Sequence, residues 1–134
     1  MDSIKKILII EDNKDIRTVL ARRMSSLGFE TLMAEDGITG LEKARSGWPD
    51  VIILDLTLPK MSGQEVCKAI REDHNKEFAR IPIIMLTGKT DEVDRVIGMV
   101  IGASCYLTKP YDPKELVSLV LKYAEGEDHA HHGV

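Results

Sequence analysis

Val51-Ile52-Ile53-Leu54-Asp55 joins four consecutive apolar residues to a carboxylate. A run of this kind, without polar alternation, suits a parallel strand buried on both faces. Three other runs share the form. Ile7-Leu8-Ile9-Ile10 precedes Glu11-Asp12, Ile83-Ile84-Met85-Leu86 precedes Thr87, and Tyr106-Leu107-Thr108 precedes Lys109-Pro110. Strands of a parallel sheet all end on one edge. The sequence therefore gathers three carboxylates, a hydroxyl and an ammonium where open α/β sheets bind their ligands.

Working outward, strands and helices alternate. A strand over residues 4–11 leads to a helix over 14–27, with Asn13 as N-cap and Gly28 as its stop. A second strand over 29–34 precedes the Asp36-Gly37 turn and a short helix ending near Ser46, where Trp48-Pro49 prevents continuation. Ser62 and Glu65 have capping-box spacing at the head of a helix reaching Asp73. A charged connection over 74–80 leads to a fourth strand over 81–86 and a helix starting near Asp91. In that helix Val93, Val96, Ile97, Val100 and Ile101 recur at helical spacing, so one face is expected to pack on the sheet. Gly102 ends the helix, and a short strand over 105–108 follows.

The final helix opens on Asp112-Pro113-Lys114-Glu115 and buries Leu116, Val117, Leu119, Val120 and Tyr123. Five strand–helix units imply an α/β fold with a doubly wound five-stranded parallel sheet and helices on both faces. Right-handed crossovers and length favour the flavodoxin-like order 2-1-3-4-5.

At 134 residues the chain suits one domain. Its net charge of −4 argues against nonspecific binding to nucleic acid or anionic membranes. No signal-peptide core or membrane span is legible, and Cys67 and Cys105 form no CxxC pair. Reduced thiols in a cytoplasmic protein are the expectation.

In the order 2-1-3-4-5 the first and third strands are neighbours, which sets Glu11, Asp12 and Asp55 side by side. Two carboxylates ~4 Å apart repel by about 4 kcal/mol at an effective dielectric of about 20. Three ionised together require a cation or must take up protons. An incomplete all-oxygen cage suits Mg2+ better than Ca2+. With Thr87 and Lys109 beside the metal, the set describes a phosphoryl-transfer site in which an Asp can itself be the nucleophile. Taken singly, Glu11-Asp12 reads equally well as a helix cap, Asp55 and Thr87-Gly88 as turns, and Lys109 as a solvated charge. Their coincidence on one edge is what favours a site.

These residues resemble the receiver domain of two-component response regulators, the CheY-like family, over residues 4–125. The resemblance implies that Glu11 and Asp12 are the acidic metal pair and Asp55 the phosphoacceptor. It also implies that the Thr57 backbone carbonyl completes the metal shell, that Thr87 is the switch hydroxyl and that Lys109 contacts the phosphoryl group. Tyr106 matches the aromatic switch position, and a cis Lys109-Pro110 bond is expected. The implied cofactor is Mg2+, with Mn2+ as a substitute. The implied role is a signalling switch rather than an enzyme acting on other substrates. Its implied donor is a histidine kinase or a histidine phosphotransfer protein. Its output would pass to a target protein or effector domain through the fourth helix, fifth strand and fifth helix, with dimerisation on phosphorylation as an option. Neither direct nucleic-acid contact nor membrane insertion is expected. Glu11 stands where many receivers have Asp, and Ser104-Cys105 where acidic residues are common.

Other classes fit less well. Neither GxxxxGK[ST] nor a GxGxxG after the first strand is present. A haloacid-dehalogenase-like phosphatase needs a second Asp two residues after its nucleophile, where this chain has Thr57. Lys14, Arg17, Arg22 and Arg23 read as the solvated face of the first helix, with Ile16 and Arg17 placed to touch a phosphodonor protein. Residues 1–124 are read as the receiver. Residues 125–134, with His129, His131 and His132, are read as a disordered tail.

Overall fold

The structure, a computed structural model, describes residues 4–88 and 92–126, with the backbone alone at 92–95 and 98. The tail histidines and the expected helix start at Asp91 lie outside the described residues. The strands are β1 (Lys6–Ile10), β2 (Glu30–Ala34), β3 (Val51–Asp55), β4 (Ile83–Gly88) and β5 (Cys105–Lys109). The helices are α1 (Lys14–Ser26), α2 (Gly37–Gly47), α3 (Gly63–Arg71), α4 (Glu92–Ile101) and α5 (Pro113–Ala124). All strand pairs are parallel, in the order β2-β1-β3-β4-β5.

The unbroken apolar runs fill the centre of this sheet. From Ile7 to Ile10, Val51 to Asp55 and Ile83 to Thr87, every residue is buried. Side-chain alternation divides them between two layers. Leu8, Ile10, Ile52, Leu54, Ile83 and Met85 pack on the α2–α3 side, while Ile7, Ile9, Ile53, Ile84 and Leu86 pack on the α1–α5 side. Each buried Ile or Leu contributes about 1.5–3 kcal/mol. Strand β5 lies at the sheet's edge and is only partly buried, so its run is not covered on both faces.

The caps form as expected. Asn13 Oδ1 accepts from the Ile16 amide, and Ser62 and Glu65 exchange both capping-box bonds. Asp112 accepts from the Lys114 amide ahead of Pro113. Strand β4 begins at Ile83, two residues later than the expected strand over 81–86, because Pro82 has no N–H to donate to a ladder. The charged connection contains a 3-10 turn, Phe78–Arg80, with Phe78 buried.

One expectation holds only in part, and the Val93 side chain it names lies outside those described. Val96, Ile97 and Val100 do not pack on the sheet, and Val100 is 81% exposed. Of the α4 residues with described side chains, Ile101 joins the core from its partly buried position. Helical spacing shows that a face is apolar without showing what it meets. Here the helix is held at its C-terminal end. Arg71 donates from Nε to Gly102 O at 2.8 Å and from NH1 to Ala79 O and Ile81 O.

At the edge where the strands begin, Trp48 takes a left-handed conformation (φ 47°) and meets Phe78 edge-on, with ring centroids 5.4 Å apart. An open cleft of about 830 Å³ lies there, lined by Trp48, Arg71, Arg80, Ile81 and Ser104. It is remote from the edge where the carboxylates gather.

The loop from β3 to α3 is pressed against both its neighbours. A Cβ on Gly37 would overlap Met61 O, and one on Gly63 would overlap Asp55 O and reach 2.8 Å from Leu56 Cα. Gly63 N–H donates to Leu56 O at 2.9 Å, closing the loop on itself. Gly63→Ala is therefore expected to cost about 1–3 kcal/mol, because backbone rather than a flexible side chain must give way. Urea unfolding measures it; a midpoint equal to wild type would show that the loop can open without loss.

Candidate functional site

At the C-terminal edge of the strands, β1 delivers Glu11 and Asp12, and β3 delivers Asp55. One carboxylate oxygen from each lies within 4.8 Å of the other two. Glu11 and Asp55 are buried, whereas Asp12 faces solvent. The Lys109 ammonium, carried in by the end of β5, stands 3.5 Å from Asp55 Oδ1 and 3.6 Å from Glu11 Oε1. Glu11 Oε2 accepts from the Asn13 amide at 3.1 Å, and Asp55 Oδ1 from the Thr57 amide at 3.3 Å. Glu11 Oε1 is buried without a hydrogen-bond donor. A buried carboxylate oxygen with no donor, facing two other carboxylates, fits a hard cation that takes oxygen ligands.

Electrostatics agree with the geometry. Burial pushes the Glu11 carboxyl up to about 7, assisted by the charge of Asp55 and opposed by the Asn13 amide and Lys109. Burial likewise raises Asp55, and Lys109 pulls it back. In this state the Lys109 ammonium is the counter-charge shared by two buried acids.

Thr87 is buried at the end of β4, its hydroxyl 3.4 Å from the Gly88 carbonyl oxygen. Met85 pairs with Tyr106 and Thr87 with Thr108, so Thr87 and Tyr106 lie on one face of adjacent strands, two residues apart in register. Tyr106 is partly buried against the α2–α3 core. The Lys109-Pro110 bond is cis, as expected. Thus Glu11, Asp12, Asp55 and Lys109 are brought together, with Thr87 on the neighbouring strand and Tyr106 further along its face.

Two further features were not legible beforehand. Arg17, read as part of a solvated face, is half-buried, and its NH1 donates to Glu11 O at 2.8 Å and to Asp12 O at 3.3 Å. Tyr111 lies close enough for burial and the Glu11 charge to push its hydroxyl up. Asp36 caps α2 through the Thr39 amide, which holds its carboxyl low, and pairs with Lys60 at 3.6 Å.

The family model described as the response regulator receiver domain matches residues 7–121. The chain belongs to this family. This receiver domain is 40% identical over 124 residues to the alkaline phosphatase synthesis transcriptional regulatory protein PhoP of Bacillus subtilis, covering 90% of the chain and 50% of that protein. It is also 40% identical over 121 residues to the DNA-binding response regulator MtrA of Mycobacterium tuberculosis, covering 90% of the chain and 51% of the relative. The chain spans about half the length of these relatives.

Among solved structures, the chemotaxis response regulator CheY4 of Vibrio cholerae superposes with TM-score 0.81 at 32% identity, covering 90% of this chain and 99% of that one. The receiver domain of the sensor histidine kinase PA1611 of Pseudomonas aeruginosa superposes with TM-score 0.81 at 31% identity, over 92% and 99% of the two chains. That structure holds a magnesium ion coordinated in its active-site cleft. No helix among the described residues of this receiver domain is long and apolar enough to cross a membrane.

The raised Glu11 carboxyl gives a pH dependence with a defined sign. Its ordinary value is 4.5, so below about pH 4.5 both folded and unfolded chains are protonated and no penalty applies. Between there and about 7 the unfolded chain ionises first, and the metal-free fold loses stability. The loss is complete above about 7, and Asp55 acts in the same direction. Without divalent metal, wild type should thus be less stable at pH 8 than at pH 5, and Glu11→Gln should flatten the profile. Urea unfolding in chelator across this range tests it; parallel profiles would show that Glu11 does not carry the effect.

Proposed function

We propose that this receiver accepts a phosphoryl group on Asp55 from the phosphohistidine of a histidine kinase or phosphotransfer protein. The observation that carries this reading is Asp55, buried at a strand end, with Lys109 and the Glu11–Asp12 pair converging on it. An Asp55 carboxylate oxygen attacks phosphorus, the P–N bond breaks, and the donor imidazole leaves with the electron pair. An acyl phosphate on Asp55 results. Glu11, Asp12, Asp55 and the Thr57 carbonyl would hold Mg2+, or Mn2+ in its place. When bound, the ion supplies charge that offsets both the carboxylates and the phosphoryl oxygens.

The chain's own residues do the rest. Lys109 moves from neutralising two acids to pairing with a phosphoryl oxygen, and the Thr57 amide keeps Asp55 oriented. Thr87, whose hydroxyl lies 3.4 Å from the Gly88 carbonyl oxygen, turns it to a phosphoryl oxygen. Tyr106, on the same sheet face, moves toward the space that Thr87 leaves. The surface of α4, β5 and α5 changes as a two-state shift set by one local charge. The protein is thus a switch that catalyses its own modification, acting from the cytoplasm on a target protein, an effector domain or a second copy. Residues 1–124 would form the switch.

Acetyl phosphate with Mg2+ should label wild type and leave Asp55→Asn unlabelled in mass spectrometry; equal labelling would exclude Asp55. For the switch, beryllofluoride replaces the phosphoryl group. Amide shifts over residues 92–126 should be large in wild type and much smaller in Thr87→Ala. If those residues stay silent in wild type while α1 responds, the proposed output path is wrong.

A further inference from the structure

Arg17 occupies a position that helix physics does not favour. It is the fourth residue of α1, where the positive end of the helix dipole opposes a cation. Its side chain turns back along the chain, and the result is unusual for a single residue. The Arg17 amide donates to Asn13 O at 2.9 Å, while NH1 donates to Glu11 O at 2.8 Å and Asp12 O at 3.3 Å. One residue therefore holds the carbonyls of three consecutive residues, 11 to 13. These are the two acidic residues of the site and the helix cap that follows them.

The consequence lies in the opposite direction from the bonds. Drawing the carbonyls of Glu11 and Asp12 toward α1 fixes the backbone from which both carboxylates project toward Asp55. Glu11 has a second tether, through Oε2 to the Asn13 amide, whereas Asp12 is exposed and projects from the same backbone.

We infer that Arg17 is a positioning residue for the divalent-cation site, setting Mg2+ affinity through the backbone of Glu11 and Asp12. The inference rests on the metal-binding part of the proposed function. Groups that orient metal ligands from behind commonly govern affinity by 10- to 100-fold on removal. A lysine at this position keeps the charge but lacks the planar fork, so it can serve one carbonyl well but not both.

Calorimetric titration of Mg2+ into wild type, Arg17→Met and Arg17→Lys tests the assignment, with circular dichroism to confirm folding. Arg17→Met should bind Mg2+ about tenfold more weakly, and Arg17→Lys should recover part of that loss. A residue that only braced α1 would lower the melting temperature in chelator and leave Mg2+ affinity untouched. Wild-type affinity in Arg17→Met would overturn the inference. If that variant does not fold, Arg17→Lys decides: affinity reduced severalfold supports the role, and unchanged affinity overturns it. Absence of Mg2+ binding by wild type would instead overturn the metal reading itself, and this inference with it.

Discussion

Two buried carboxylates and one exposed one, facing each other across adjacent parallel strands, set the terms for the rest of the molecule. Glu11 and Asp55 cannot both ionise in a buried edge without an opposing charge, and Lys109 at 3.5–3.6 Å supplies one such charge for two acids. The arrangement is under-neutralised by construction. It gains most from whatever brings positive charge, and it is most disturbed by whatever redistributes the charge already there. A fold with a well-balanced ion pair at this place would be more stable and less responsive.

Keeping such a cluster together requires a rigid frame. The three central strands are covered on both faces, so their ends cannot drift apart without opening the core. The β3–α3 loop is held by close backbone approach at Gly37 and Gly63, and the β1–α1 turn is held by Arg17. On the α4 side, Val96, Ile97, Met99 and Val100 are left in solvent. A rigid frame around the acids beside an uncovered apolar α4 face is the arrangement that the proposed switch requires, since a signal formed in one place must be expressed in another.

Much of this was legible in the residues. Uninterrupted Ile, Leu and Val runs announce central parallel strands, and the polar residue closing each run announces its place on one edge. Caps such as Ser62–Glu65 follow from local chemistry and form as written. Other features depend on what arrives from elsewhere in the chain. The apolar spacing of α4 is real, but periodicity carries no information about the partner, and Val96, Ile97 and Val100 meet solvent. A helical reading assigns Arg17 to a basic face because it ignores the preceding turn, to which the side chain returns. A cation in the first turn of a helix, against the dipole, was the available clue. The glycines at 37 and 63 open their helices, where a stronger helix former would serve unless another backbone were close.

Trp48 has an optical consequence. It is the chain's single tryptophan, stacked edge-on against Phe78 at the far end of β3 from Asp55. The five residues of β3 lie between them, ~13 Å from first to last at about 3.3 Å per residue. Its surroundings are the α2–β3 corner and the 3-10 turn, at the opposite edge of the sheet from the acids. Intrinsic fluorescence is therefore expected to follow folding and to change little when charge moves among the acids, so the two processes can be separated in one sample.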